Sequence, residues 1–380
     1  MRRVSLVLAL TCGVTGGAAA QSSIFGIRGL GIPQGPLSTR AVGMGGSLSL
    51  LDGLSATNPA AITSVVGLTT GFNFFQNWRT STTPGGTGSA TDGGFPNVIV
   101  VNRVKESPVY LSGSFGSYAD RDFGTVTTGT TLVEGVPVQY RDSLESKGGV
   151  SDLRLAVGYR KGKTLALGFG FHFITGSNRI TLRRAFSDSV LSDVRQRSEL
   201  AYTAIGLSLG AVFHPTEALL LAAVVRRDGT MNVDLDSLQA YDFSLPWSFA
   251  GSAQYRLGGR GILNAEVAYS TWSDANAKLQ AVGGIGADNA LRASVGAEIA
   301  TSPARPGTFP IRVGMRTAQL PFPLVPGQQP SEFAVAAGSG MRFAKGHAAV
   351  DLALERIWRS ADGGFSEDAW VLSLGLVLKP

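Results

Sequence analysis

The feature that most constrains this chain is an alternation of apolar with small or polar residues, sustained over segments of about ten residues. Between Lys163 and Ile174, the residues Leu165, Leu167, Phe169, Phe171 and Phe173 share one face, and Ala166, Gly168, Gly170 and His172 share the other. The pattern recurs in residues 153–160, 247–256, 291–299, 311–316, 350–355 and 370–378. Successive side chains of a strand point to opposite faces. Each segment is therefore expected to be extended, with one continuous apolar face and one of glycine, alanine, serine and charge. A soluble β-sandwich alternates too, but its strands usually run about five or six residues. Segments near ten residues match a tilted strand crossing a bilayer, and the small residues suit a filled interior. The expected fold class is all-β, a transmembrane antiparallel β-barrel. At about 20–25 residues per strand with its connection, residues 65–380 allow roughly 12 to 16 strands.

Composition agrees. Charged residues make up 16% and glycine reaches 50 copies, against about 25% charge in ordinary soluble domains. The formal charge of +6 is spread without a Lys/Arg-dense block, so nucleic acid is not an expected partner. Residues 1–20, MRRVSLVLALTCGVTGGAAA, combine two arginines, a short apolar run and Ala18-Ala19-Ala20. They are expected to be a secretory signal peptide cleaved after Ala20. The apolar run is far below the ~20 residues of a spanning helix. Cys12 is the single cysteine, so a mature chain without it has no thiol chemistry and no disulfide.

The connections fall into two kinds. Lys161-Gly162-Lys163, His214-Pro215-Thr216-Glu217, Leu257-Gly258-Gly259-Arg260 and Ala344-Lys345-Gly346-His347 are tight. Residues 119–148, 186–197, 228–243, 318–331 and 359–368 are expected to be long polar loops, and 81–94, STTPGGTGSATDGG, a mobile one. Short turns on one side and long loops on the other suit an outer-membrane barrel.

Residues 40–62, RAVGMGGSLSLLDGLSATNPAAI, are different in kind: glycine-rich, nearly uncharged and without alternation. Asn58 is expected to cap a helix, with Pro59 at its first position. On residues alone the stretch is either a compact plug or an N-terminal cap. It resembles the N-terminal region of the long-chain fatty-acid transporter (FadL) superfamily of outer-membrane proteins. That pattern has a basic residue, a small-residue segment around Met-Gly-Gly, an acidic turn and Asn-Pro-Ala. Arg40, Gly43-Met44-Gly45-Gly46, Asp52 and Asn58-Pro59-Ala60 stand at those places. FNFFQNWR, residues 72–79, looks like the first strand of the related PorV branch, which serves type IX secretion. The resemblance implies about 14 strands, a hatch at residues 21–64 inside the lumen of a 65–380 barrel, and a place in the bacterial outer membrane.

Implied partners are outer-membrane lipid, the barrel-assembly machinery and a hydrophobic small molecule; secretion components replace the last if the PorV likeness governs. No cofactor and no metal are expected. Phe72, Phe74, Phe75 and Trp78 are candidates to line a ligand pocket or to sit in a lipid-facing girdle. Arg154, Arg160, Arg256, Glu266, Arg292, Glu298, Arg312, Arg316, Arg342, Asp351 and Glu355 fall on the small-residue face. They either guide an anionic head group or pair with one another, since buried charges need partners. Of the three histidines only His172 lies mid-strand, and no G-x-S-x-G elbow or metal-ligand spacing is present. The expected function is passive transport of hydrophobic molecules such as long-chain fatty acids, not catalysis. The alternative is binding of exported cargo proteins.

Overall fold

The computed structural model describes residues 23–188, 190–301 and 309–379. The expected signal peptide, with Cys12 and the Ala20 cleavage site, lies outside the described residues, as do Gln21 and Ser22. Fourteen antiparallel strands close into a barrel. β1 (Thr69–Thr83), β2 (Gly86–Arg103) and β3 (Val109–Asp120) lead into three long strands, β4 (Val136–Lys161), β5 (Leu165–Phe186) and β6 (Val194–Phe213). β7 (Leu219–Asp228), β8 (Trp247–Arg256), β9 (Gly261–Ser270) and β10 (Ala290–Ile299) are shorter. β11 (Ile311–Gln319), β12 (Ser331–Phe343), β13 (Ala348–Ala361) and β14 (Phe365–Leu378) complete the circle. β14 pairs with β1 from Thr70↔Leu378 to Thr82↔Ser366. Closure leaves the barrel no free edge, as lipid requires.

The alternation sets the wall's two faces. Leu155, Phe171, Leu209 and Val313 point outward and exposed, while Arg154, His172, Ser208 and Arg312 point inward and buried. Four of the five tryptophans, Trp78, Trp247, Trp358 and Trp370, lie outward near one rim, with Arg356 over the Trp358 and Trp370 rings. Tyr159, Phe213, Tyr255 and Phe343 lie outward near the other. Two aromatic belts around an apolar band mark the two membrane interfaces. One irregularity is in β2. Asn73 faces Asn97 but Phe75 faces Gly94, so β2 carries an extra residue around Phe95-Pro96. A bulge is where a strand accepts proline, and here it moves the inward positions from Ala90 to Asn97, Ile99 and Val101.

The tight turns lie at the rim shared by the start of β1 and the end of β14, which is the periplasmic side of such a barrel. The opposite rim departs from expectation. Residues 81–94 are not a loop: β1 and β2 run through them to a turn at Pro84-Gly85. Antiparallel pairing supplies what Gly/Ser/Thr propensity lacks, and Thr80 meets Ser89 and Thr82 meets Thr87 through their hydroxyls. Most of 119–148 is likewise paired, Phe123–Val133 against the first half of β4. Within 228–243, Thr230–Leu235 and Leu238–Ser244 form a hairpin that also pairs with β6. Residues 271–289, with no loop expected there, contain a 3-10 turn, Trp272–Ala275, and a short helix, Asn276–Ala281. These parts fold inward and bury Leu30, Tyr202, Met231, Phe243, Trp272, Leu279 and Phe322 together. The largest apolar cluster therefore stoppers the outer mouth.

Candidate functional site

Residues 23–64 pack against the barrel's inward face, and a two-residue strand within them, Ile32–Pro33, pairs with the outer end of β3 at Ala119 and Asp120. Their central element is a one-turn helix, α1 (Thr39–Val42), capped by Ser38, whose Oγ accepts from the Ala41 amide at 3.1 Å and donates to Asp52. The chain then doubles back through Gly45 at φ +66° and Gly46 at φ +86°, values that a residue with a Cβ seldom adopts. Opposite, Gly314 of β11 leaves room for the Met44 carbonyl: a Cβ there would lie 2.1 Å from the Met44 carbon. Met44 itself is buried with Ala41 and Leu48. Gly43 follows α1 against Gly338 and Ala353.

The helix cap expected of Asn58 is not made: the cap residue of the helical turn here is Ala60, without a side-chain bond, and Asn58 forms a local turn ahead of it. Its Oδ1 accepts from the Ala60 amide at 3.0 Å, ahead of a 3-10 turn, Ala61–Ser64, with Pro59 outside the helix proper. Its Nδ2 donates to the Leu50 carbonyl at 2.9 Å, so Asn58 also ties the two ends of this stretch together. Ala60 is fully buried.

Polar contacts run from this segment to strands all round the wall. Arg40 grips Glu298 of β10 with two bonds, Nη2–Oε1 at 2.7 Å and Nε–Oε2 at 2.8 Å. Ser49 donates to Glu266 of β9 at 2.7 Å, and the Thr39 amide donates to Asn73 of β1 at 2.9 Å. Asn97 of β2 donates to the Leu54 carbonyl at 2.9 Å, and Asn264 of β9 to that of Ser47.

Two cavities lie on either side of α1. The outer one, about 370 Å³, is lined by Leu37, Val42, Gly45 and Gly46 below, by Phe75 of the wall and by Trp272 of the segment that folds into the outer mouth. The periplasmic one, about 220 Å³, is lined by Ser38, Thr39 and Arg40 with Glu298, Arg312 and Asp351. The α1 segment is the partition between them.

The charges expected on the inner face are there, and most are paired. Glu298 is shared by Arg40 and Arg312, whose Nη1 reaches Asp351 at 2.5 Å. Glu266 holds Arg292 at 3.2 Å, and Arg316 holds Glu355. Arg256 and Arg342 have the inward register but lie exposed at the periplasmic rim, outside this network. Among the aromatics, only Phe75 lines the outer cavity; Phe72, Phe74 and Trp78 project outward. Adjacent residues of a strand cannot share a face, so the four could not line one pocket.

Further inward charges extend the network: Arg316–Glu332–Arg359–Glu367, with Arg79 of β1 between Glu367 and Asp92. Arg359 and Glu367 fall in a segment expected to be a loop, residues 359–368, and Glu332 directly follows another, residues 318–331, which hid their register. A second cluster joins five strands, β3 to β7. Asp152 accepts from His172 Nδ1 at 2.8 Å and from Arg226 Nη1 at 2.8 Å, and His172 Nε2 lies 2.9 Å from the Ser208 hydroxyl. Arg226 also holds Asp228, to which the Tyr118 hydroxyl donates at 3.0 Å. His172 and Ser208 are sealed in the wall and line neither cavity. Among the described residues no cluster of three metal-ligating side chains occurs.

No protein-family model and no curated protein matches the chain. Solved structures do. A Pseudomonas aeruginosa FadL homologue superposes with TM-score 0.64 at 14% identity, over 92% of this chain and 99% of that one. The Pseudomonas putida toluene transporter TodX gives 0.58 at 13%, over 92% and 99%. The CymD monoaromatic hydrocarbon channel gives 0.56 at 14%, over 90% and 97%. At these identities the likeness is one of fold, and it extends over nearly the whole of each chain. Belts, closure and superposition agree: the chain is a bacterial outer-membrane barrel with the fold of the FadL-type transport channels.

Proposed function

We propose that this barrel passes hydrophobic molecules across the outer membrane by diffusion, that residues 23–64 are its hatch, and that it performs no covalent chemistry. The observation that carries the reading is the partition. α1 separates an outer cavity, lined by apolar residues and paired charges, from a periplasmic one, and polar contacts to the wall hold it. A ligand in the outer cavity advances only when that segment shifts. The substrate class spans the acyl chains expected from the sequence and the aromatic hydrocarbons named for two structural neighbours. The Asp152–His172–Ser208 string has the order of a catalytic triad, yet its serine faces no cavity and its aspartate is shared with Arg226. It serves here as a satisfied polar seam in the wall.

The test is a reversible lock. A Cβ on Gly43 would lie 3.6 Å from that of Ala353, within the span of a disulfide. The pair Gly43→Cys and Ala353→Cys is expected to abolish uptake of labelled hydrophobic compounds when oxidised and to restore it on reduction. Equal uptake in both states would refute the hatch. Normal uptake after deletion of the protein, with exported cargo held in the periplasm, would favour the cargo-binding role.

A further inference from the structure

We infer that the outward face of β4, β5 and β6, where these strands rise above the membrane, binds the phosphates of a glycolipid of the outer leaflet, a lipopolysaccharide. The inference needs only the barrel's place in the outer membrane and holds whatever the barrel carries. The three strands run past the rim without a break in register, from Tyr159↔Leu167 and Leu167↔Ala211 below to Ser143↔Arg183 and Arg183↔Arg195 above. The face that meets lipid at Leu153, Phe173 and Ile205 is therefore the face that carries Arg141, Lys147, Arg179, Arg183, Arg195 and Arg197 higher up. All six are exposed.

The cations outnumber the acids around them. Lys147 holds Glu145 at 2.8 Å, Arg183 holds Asp193 at 2.6 Å, and Arg179 reaches Glu199 only at 3.8 Å. Asp236 takes the Glu199 amide at 2.8 Å. Among the described residues Arg141, Arg195 and Arg197 make no ion pair. Arg183 and Arg195 stand directly opposite one another. Like charges so placed repel, and a phosphate between two guanidinium groups turns that repulsion into charge-assisted bonds. Elsewhere on the outer belt the pattern differs: Arg227 and Arg356 lie over tryptophan rings and each has an acid, Asp274 at 3.7 Å and Asp368 at 2.9 Å. The excess charge is confined to one side. Height selects the kind of lipid. An apolar band ~25 Å tall takes about ten residues of a strand tilted ~40°. On β5 that length runs from Leu165 to Thr175, and Arg179 stands roughly 10 Å higher. A phospholipid headgroup layer is only about 5–8 Å deep, whereas a phosphorylated sugar headgroup extends through this height.

The test is native mass spectrometry of the full chain in detergent micelles, titrated with rough-type lipopolysaccharide, with the same glycolipid dephosphorylated, and with phosphatidylglycerol. One lipopolysaccharide molecule is expected to stay bound, roughly tenfold more tightly than either control, a difference of about 1.4 kcal/mol. Arg195→Glu with Arg197→Glu is expected to abolish that preference, and raised salt to weaken it. Arg256→Glu with Arg342→Glu, on the periplasmic rim, should leave it unchanged. Arg195→Gln, a single neutral change, covers the case of a double variant that does not fold, with an expected loss of about threefold. Equal binding of the dephosphorylated form or of phosphatidylglycerol would overturn the inference in favour of general membrane contact. Undiminished binding by the Arg195 variants, or an equal loss in the rim variant, would remove these arginines as the site. Each of those results leaves the channel reading standing.

Discussion

Arg40 and Glu298 meet face to face across the boundary between hatch and wall, with two parallel N–H···O bonds of 2.7 and 2.8 Å. Glu298 is at the same time held from its own side by Arg312 at 2.6 Å. The wall carboxylate is thus fixed before the hatch arrives, and Arg40 adds a contact that can be given up without stranding Glu298.

Arg40→Ala should therefore loosen the hatch with little damage to the barrel. Planar-bilayer recordings are expected to show open events that the parent lacks, with the folded fraction unchanged on heat-modifiable gel shift. Arg40→Lys should fall between the two, because a lysine cannot reproduce the paired geometry. Silent recordings for Arg40→Ala would remove this contact as a latch.

Gly314→Val places side-chain atoms where the Met44 carbonyl now lies. The expected product is a closed barrel with an expelled N-terminal segment. Limited trypsin digestion should then cut after Arg40, a bond shielded in the parent, while the strands resist. An intact N-terminus after digestion would show that the wall can give way.

Glu332 receives Arg316 Nε at 2.9 Å and Arg359 Nε at 2.8 Å, and is buried together with Arg359. Glu332→Ala leaves the Arg316 and Arg359 guanidinium groups facing each other with no acid between them, each keeping only its outer partner, Glu355 or Glu367. A loss of about 3–5 kcal/mol is expected, read as a lowered urea midpoint for refolding into micelles. Glu332→Gln, which keeps acceptor oxygen but no charge, should lose less.

Phe75 and Trp78 separate the two faces of one strand. Phe75→Ala should weaken ligand binding in the outer cavity and leave membrane insertion as it was. Trp78→Ala, which removes a belt residue, should do the reverse, lowering barrel stability in lipid with ligand affinity unchanged. Any crossover between the two readouts would contradict the register given for β1.

The wall was largely legible in the sequence because its rule is local: alternation at residues 153–160 or 370–378 states which side chains meet lipid. The inward charges followed from the same parity, and residues 40–62 stood out by their contrast with it. The outer rim was not legible. Ser81, Thr82, Thr87 and Ser89 have no apolar face to announce a strand, and their pairing exists only because β1 and β2 are already held in register below. Phe322 read as a loop residue and Trp272 lay where no loop was expected, yet their rings meet edge to face at 5.0 Å across the mouth. Such contacts join segments distant in sequence and leave no periodic trace. Asp152, Arg226 and Asp228 are brought together by register alone, which no single strand records.

The seam between β14 and β1 has a consequence for how the molecule is made. Asn73, which receives the Thr39 amide, lies on one side of that seam, and Gly375, which faces the Thr39 side chain, lies on the other. The last strand to be synthesised and the first thus grip the same turn of helix. A barrel that shut early would have sealed the N-terminal segment out, and one that shut without it would lack part of the surface on which those two strands align. The surface that seats Thr39 is therefore complete only once the circle is closed, so closing the barrel and seating this segment share one set of contacts.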